Sequence, residues 1–273
     1  MDPRLQKRVQ RYGWDRSAEF YESFWASQLE PAQTRMLDIA DLKPGERVLD
    51  TACGTGLVTF RVARAVEPDG HVLATDISEE MVKKIRAIAS EKGVENMTAE
   101  RMDAEDLIVD DDSFDVALSA LGFMYYPSPI DAFKEMRRAV RPGGRIAVAV
   151  WGARDRCGWA EIFPIVDARV NTEVCPLFFQ LGTGDALMHT MKAADLVDIE
   201  IDRITTVLEY ESGKDARGAV FDGGPVAMAY SRFDEKTREE VHKEYLTSID
   251  SYRNGDRYEV PGEFVIGLAR RAE

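Results

Sequence analysis

From residue 43 onward the chain keeps one rhythm: a short apolar run, a turn marked by glycine or proline, then an amphipathic stretch with apolar side chains at helical spacing. Few features constrain a fold more. Strands that recur with helices between them pair in parallel, because the long crossover that a helix supplies is what a parallel pair needs. Right-handed crossovers then lay helices on both faces of the sheet, giving a doubly wound α/β fold. The pattern predicts strands over 47–51, 71–76, 97–101, 114–119 and 145–150. Helices are predicted over 57–66 and 129–140. Between them lies one capped by Ser78 and ended at Lys92-Gly93, with Met81, Val82, Ile85, Ile88 and Ala89 on one face. Arg141-Pro142-Gly143-Gly144 reads as the turn that stops the 129–140 helix.

Beyond Trp151 the rhythm weakens, and residues 152–183 carry aromatic and proline punctuation with little periodicity. A helix over 185–194 and a strand over 199–210 follow, then a mostly helical insertion that includes the charged stretch 234–253. The segments 258–261 and 264–270 close the chain as a hairpin partner. Three parts are expected: a helical lid over the sheet's edge (1–42), a ligand-binding core (43–151), and a segment (152–273) whose last two strands complete the same domain.

Composition narrows the partners. The 273 residues hold 49 Asp and Glu against 35 Lys and Arg, a net charge of −14. An acidic chain repels nucleic acid and anionic lipid, and no basic run exceeds pieces such as Met136-Arg137-Arg138, so no nucleic-acid partner is expected. Cys53, Cys157 and Cys175 are too scattered for a disulfide framework and form no C-x-x-C pair, so neither zinc nor another metal is expected. The first residues lack the apolar core of a leader, and apolar stretches such as 146–151 fall far short of the roughly 20 residues that span a bilayer. A reducing cytoplasm fits these features, and the expected partner is a small molecule.

In such a sheet, ligands bind beyond the carboxyl ends of the strands. Asp50-Thr51-Ala52-Cys53-Gly54-Thr55-Gly56 follows the first strand, and its glycines let the backbone turn tightly against a ligand. Asp76 ends the second strand, placed to take two ribose hydroxyls. Met102-Asp103-Ala104-Glu105 follows the third, where an acceptor would meet an adenine amino group. A nucleoside cofactor suits this set. The dinucleotide fingerprint G-x-G-x-x-G is broken after Gly56 by Leu57-Val58-Thr59, and there is no P-loop.

Val48-Leu49-Asp50-Thr51-Ala52-Cys53-Gly54-Thr55-Gly56 resembles motif I of the class I S-adenosylmethionine-dependent methyltransferases. Thr75-Asp76-Ile77-Ser78, Asp103-Ala104-Glu105-Asp106 with Phe114-Asp115-Val116, and Arg141-Pro142-Gly143-Gly144-Arg145 resemble the later motifs in order. The flavour is that of ubiquinone/menaquinone-biosynthesis enzymes and their small-molecule relatives. The resemblance implies a Rossmann-like, seven-stranded, mostly parallel sheet of order 3-2-1-4-5-7-6 with the last strand antiparallel. It also implies cofactor contacts from Asp50, Thr51, Ala52, Cys53, Gly54 and Gly56 under the methionine part, and Asp76 on the ribose. Ile77 and Met81 would lie against the adenine, Asp103 and Ala104 beside its amino group, and Ser119, Ala120 and Tyr21 near the rest of the cofactor. Ala52 departs from the family's common glycine.

A sulfonium methyl is already activated, so the resemblance implies an in-line displacement driven by positioning and desolvation, yielding S-adenosylhomocysteine. A base is needed only for a nucleophile that must lose a proton; His189 is the one candidate, while His71 and His242 read as surface residues. Leu181-Gly182-Thr183-Gly184-Asp185 repeats G-T-G but reads as a loop with Thr183 or Asp185 capping the next helix. Phe123, Tyr125, Trp151 and Phe179 are candidates for the acceptor pocket, together with aromatic side chains of the lid, which points to a small apolar or aromatic acceptor. The alternatives are a nicotinamide-dependent oxidoreductase, disfavoured by the missing glycine, and a non-catalytic S-adenosylmethionine-binding protein.

Overall fold

In the computed structural model, which describes residues 3–171 and 174–273, the first strand β1 (Arg47–Thr51) is buried from Val48 onward. Consecutive buried residues mean that both faces are covered, as a parallel strand requires. β2 (His71–Asp76) and β3 (Met97–Arg101) pair in parallel on one side of β1. On its other side lie β4 (Phe114–Ala120) and β5 (Val140–Trp151), also parallel. β6 (Leu196–Tyr210) and β8 (Arg257–Arg271) complete a sheet of order β3-β2-β1-β4-β5-β8-β6. β8 runs antiparallel to both neighbours. The extra strand β7 (Arg253–Asn254) is two residues that fold back on the start of β8. Set apart, it leaves the expected seven-strand order.

The helices have local causes. α4 (Glu79–Lys92) starts where Ser78 Oγ accepts the Met81 amide at 3.1 Å and stops at Gly93, whose φ of 65° closes the last turn. It follows α3 (Thr59–Ala65), which is joined to α2 (Tyr21–Ala40) by an Arg61–Thr34 hydrogen bond. α5 (Pro129–Ala139) and α7 (Ala186–Ala193) pack together against β4, β5, β6 and β8. Among the described residues no helix is long and apolar enough to cross a membrane.

The expected boundaries shift at four places. β5 begins at Val140, because Val140 already pairs with Phe114 and the Arg141–Gly144 turn is a bulge before pairing resumes at Val116–Arg145. β6 begins at Leu196, three residues early, through a bulge between Val197 and Glu200. β8 is one strand and not two pieces, since it runs through Pro261. The Pro261 carbonyl accepts the Gly158 amide at 2.8 Å, so its missing N–H lies on that same side, where β5 has already ended at the Trp151–Phe264 pair. Finally, α2 lies on the strands β4, β5, β8 and β6 and not over an edge. Only α1 (Pro3–Ser17) spans a gap, touching α4 and the short α9 (Ala227–Tyr230) of the insertion.

Candidate active site

The loops at the carboxyl ends of β1, β2 and β3 meet as their topology demands. Asp76, at the end of β2, accepts the Gly54 amide at 2.9 Å on one oxygen and the Ser78 amide at 2.8 Å on the other. Burial pushes its carboxyl up to about 6, opposed by those two amides. Asp50 is deeper: it accepts the Thr59 hydroxyl at 2.6 Å, and burial lifts it to about 7. The β1 loop holds Ala52 at φ 53° and Gly56 at φ 96°. A Cβ on Gly56 would lie 2.6 Å from the Phe60 ring and 2.8 Å from Ile85, so glycine lets the loop press onto α3 and α4. Ala52 tolerates its left-handed backbone at a cost of about 1–2 kcal/mol. Its Cβ fills space that Gly122 leaves open, since a Cβ there would sit 2.6 Å away.

α1 lies across these loops. Lys7 pairs with Asp103 at 2.6 Å and also with Glu105. Burial alone would lower the Lys7 ammonium, and the two carboxylates more than offset it. At the other end of the helix, Asp15 accepts the Ser78 hydroxyl at 2.7 Å. The lid helix is therefore clasped to both acidic loops.

Beneath it runs a cleft. Its polar end is walled by Ala52, Gly54, Asp76, Ile77, Met81, Asp103 and Ala104. Its other end is aromatic: Trp14 meets Tyr21 and Tyr125 edge-on at 5.6 and 5.2 Å. Deeper, Trp25, Trp151 and Trp159 form a triangle with centroids 4.9–6.1 Å apart. The Trp25 indole donates to the carbonyls of Ala219 and Gly223, which anchors α2 to the insertion. Phe178 closes the wall 5.5 Å from both Tyr125 and Trp159. Leu121, at φ 62°, turns the chain off β4 over this end.

Tyr21 and Ala120 also line the cleft, and a Cβ on Gly54 would stand 3.8 Å from the Tyr21 ring. Asp50, Thr51, Cys53, Gly56 and Ser119 stand behind the wall: Thr51 donates to the Leu118 carbonyl and Ser119 to the Thr51 carbonyl, tying β1 to β4. Of the acceptor-side candidates, Tyr125 and Trp151 line the cleft. Two do not. Phe123 is buried against Phe133 at 4.1 Å, and Phe179 packs on Trp159 and Phe163 while its neighbour Phe178 takes the wall. His189 is exposed on α7, outside the cleft, because α7 packs on α5 and β6. His242 is half-buried and not a surface residue, held between Arg217 and Tyr230. The second G-T-G is structural: Arg203 binds the carbonyls of Gly182 and Gly184, and Thr183 donates to Phe179 and caps nothing. Asp185 stands at the start of α7 without a side-chain cap bond.

Lys7, Gln10, Leu29 and the Gly224-Pro225 corner of the insertion complete the cleft, and no sequence motif marks them. The titratable side chains on its walls are Lys7, Tyr21, Asp76, Asp103, Tyr125 and Tyr126. Burial drives the three phenols far above their ordinary range, so they stay protonated at neutral pH. Among the described residues no histidine or free carboxylate faces the aromatic end.

The polar end fits a nucleoside cofactor with a cationic tail. Asp76, with its carboxyl near 6, is mostly ionised at neutral pH, Gly54 leaves space for close approach, and among the described residues no lining lysine or arginine other than the paired Lys7 opposes a positive charge. A family profile described as methyltransferase domain matches residues 42–170. The ubiquinone/menaquinone biosynthesis C-methyltransferase UbiE of Ectopseudomonas mendocina (strain ymp) is 39% identical over 184 residues, 62% of this chain and 70% of the relative. The nocamycin O-methyltransferase of Saccharothrix syringae is 33% identical over 135 residues, 50% of this chain but 48% of that protein's length. The fold is shared with phosphoethanolamine N-methyltransferase 2 of Haemonchus contortus, solved with S-adenosyl-L-methionine, at TM-score 0.62, 16% identity, and coverage of 95% of this chain and 57% of that one. The chain belongs to the class I S-adenosylmethionine-dependent methyltransferases of the UbiE type, and S-adenosylmethionine is its cofactor.

Proposed function

We propose that the protein transfers the methyl group of S-adenosylmethionine to a small aromatic or apolar acceptor held at the aromatic end of the cleft. The carrying observation is the wall of Trp14, Tyr21, Trp25, Tyr125, Trp151, Trp159 and Phe178 facing the acidic loops across one cavity. When bound, the cofactor supplies a methyl on a sulfonium. Asp76 orients the ribose, Gly54 lets the backbone approach the amino-acid tail, and Ile77 and Met81 flank the adenine, with Asp103 and Ala104 beside its amino group.

What this chain contributes to the reaction is alignment and dryness. α1 clasps the loops through Lys7 and Asp15, and the aromatic rings exclude water from the reacting end. The rings offer flat apolar surface on which an aromatic acceptor packs. With the phenols locked in their protonated form and, among the described residues, no histidine or free carboxylate at the aromatic end, that end supplies no general base. The acceptor atom is therefore one that is already anionic or acidic enough to lose its proton to water. An enolic or phenolic carbon or oxygen meets that condition, and relatives named for C- and for O-methyl transfer agree with it.

The test is turnover with a panel of phenols, naphthols and cyclic 1,3-diketones, read as S-adenosylhomocysteine formed. Methylation confined to these supports the reading. Turnover only with polymeric, strongly polar or cationic acceptors sinks it, and a thermal shift with NADH in place of S-adenosylhomocysteine would replace the cofactor assignment.

A further inference from the structure

A second groove adjoins the cleft and shares Gln10, Trp14, Gly224 and Pro225 with it. It runs between α1, residues 169–171 with Val174, and α9, and its floor is apolar, including Val9, Val174, Met228 and Phe233. Its charged lining is of one sign. Arg8, Arg169 and Arg232 face it, and among the described residues no carboxylate does. That is unexpected in a chain with 49 acids and a net charge of −14. The three come from separate parts of the chain: Arg8 from α1, Arg169 from the segment after Trp151 and Arg232 from just past α9. They are far apart in the chain, so the sequence shows no basic run, and folding gathers them.

The three arginines differ in freedom. Arg169 is held by the Ile165 carbonyl at 2.7 Å and by Glu244 at 2.5 Å. Arg8 and Arg232 are exposed and have no side-chain partner among the described residues. Tyr12 lies in the same groove with 47% of its surface exposed. A groove that offers unpaired guanidinium groups beside bare apolar surface matches an occupant with an apolar body and an anionic head.

We propose that this groove is the outer subsite of the acceptor, and that the acceptor carries a carboxylate or equivalent anion held by Arg8 and Arg232 while its ring lies against the tryptophans. The assignment rests on the aromatic-acceptor reading above and adds the acid. Electrostatics make sense of the arrangement: a chain of net charge −14 repels an acidic ligand, and the arginines of this groove offset that repulsion locally. Trp14 and Gln10, common to both spaces, stand at the junction.

The experiment uses the full chain saturated with S-adenosylhomocysteine. Binding of 1-naphthylalkanoic acids, with three to six carbons between ring and carboxylate, is compared by calorimetry with that of their methyl esters. The best acid is expected to bind at least tenfold more tightly than its ester. In the double variant Arg8→Gln, Arg232→Gln the acid should fall to the ester's affinity, with the ester and S-adenosylhomocysteine unchanged. Arg8→Lys with Arg232→Lys should keep most of the preference. Equal binding of acid and ester overturns the proposal. Loss of both ligands in the glutamine variant also overturns it, since the arginines would then be structural. If esters and acids alike fail while S-adenosylhomocysteine binds, the aromatic-acceptor reading falls and the subsite with it. Association with vesicles of three parts phosphatidylcholine to one part phosphatidylserine, without any acid preference in solution, assigns the groove to a lipid surface and overturns the small-molecule subsite.

Discussion

The two ends of the cleft are made by different means. The polar end is backbone and carboxylate: three loops, each a few residues past the end of a strand, with Asp76 fixed by the Gly54 amide of the β1 loop and the Ser78 amide of its own loop. The acceptor end is side-chain surface, drawn from α1, α2, the turn after β4, Trp151, Trp159, Phe178 and the Gly224-Pro225 corner. One is a local consequence of the parallel sheet, and the other is assembled from segments far apart in the chain. On the proposed function, the contrast implies that cofactor binding and acceptor choice are separable, and substitutions should then affect them separately.

The largest test of that separation is a pair of core substitutions. Trp159→Ala empties the centre of the aromatic wall and should destabilise the fold by about 4 kcal/mol, seen as a lowered Tm, yet leave the affinity for S-adenosylhomocysteine within about twofold. Gly56→Ala should destabilise by about 3 kcal/mol, because a Cβ collides with Phe60 and Ile85 at a left-handed φ. It should weaken the cofactor by at least tenfold. Equal effects of both variants on the cofactor would mean that the two ends are one unit.

Asp76→Ala comes next. With Asp76 on the ribose as proposed, removing its carboxylate should weaken S-adenosylhomocysteine by about 100-fold in calorimetry, with little change in naphthyl ester binding. A parallel loss of ester binding would break the comparison.

Protonation probes the same carboxylate more gently. With Asp76 near 6, the ionised form proposed to accept the ribose hydroxyls is lost on acidification, so affinity at pH 5 should be about tenfold below that at pH 7. Asp50 acts on stability in the opposite sense. Its carboxyl is raised to about 7, so the native state holds a proton that the unfolded chain has released above about 4. Its contribution to stability is present at low pH and is lost as pH rises toward 7. Asp50→Asn should therefore remove a downward slope of Tm between pH 5 and 7.5, and an unchanged slope would contradict the burial argument.

Smaller effects concern the lid and the loop. Lys7→Met breaks a partly exposed clasp and should speed release of S-adenosylhomocysteine about threefold in stopped flow, less so at 0.5 M salt. Ala52→Gly should relieve a left-handed alanine and raise stability by at most about 1 kcal/mol in urea titration. A clear destabilisation would show that the Ala52 methyl packing against the Gly122 turn outweighs the strain.

Legibility followed the same division. β1, β2 and β3 lie on the residues that the apolar runs mark, because each is bounded by turns and β1 and β2 are buried on both faces, while edge strand β3 buries only the Met97 and Ala99 face. Ser78 and Gly93 were readable as caps, since capping depends on chemistry within a turn of the helix end. Irregular segments gave less. Phe178 and Phe179 are adjacent aromatics without a period to say which faces inward, and the wall is lined by Phe178. His189 sat on a short helix whose packing partner, α5, is remote in sequence. Lys7 had no motif at all; only its meeting with Asp103 and Glu105 gives it a role.

By itself, then, the sequence determined the parallel sheet, the three loops at its carboxyl ends and the acidic rim that suits a nucleoside cofactor, since all of these follow from spacing within one strand-turn-helix unit. The tertiary structure decided the rest. Which rings form the wall, where the lid clasps and how dispersed arginines gather beside the cleft depend on contacts between residues distant in the chain, and no local pattern encodes such contacts.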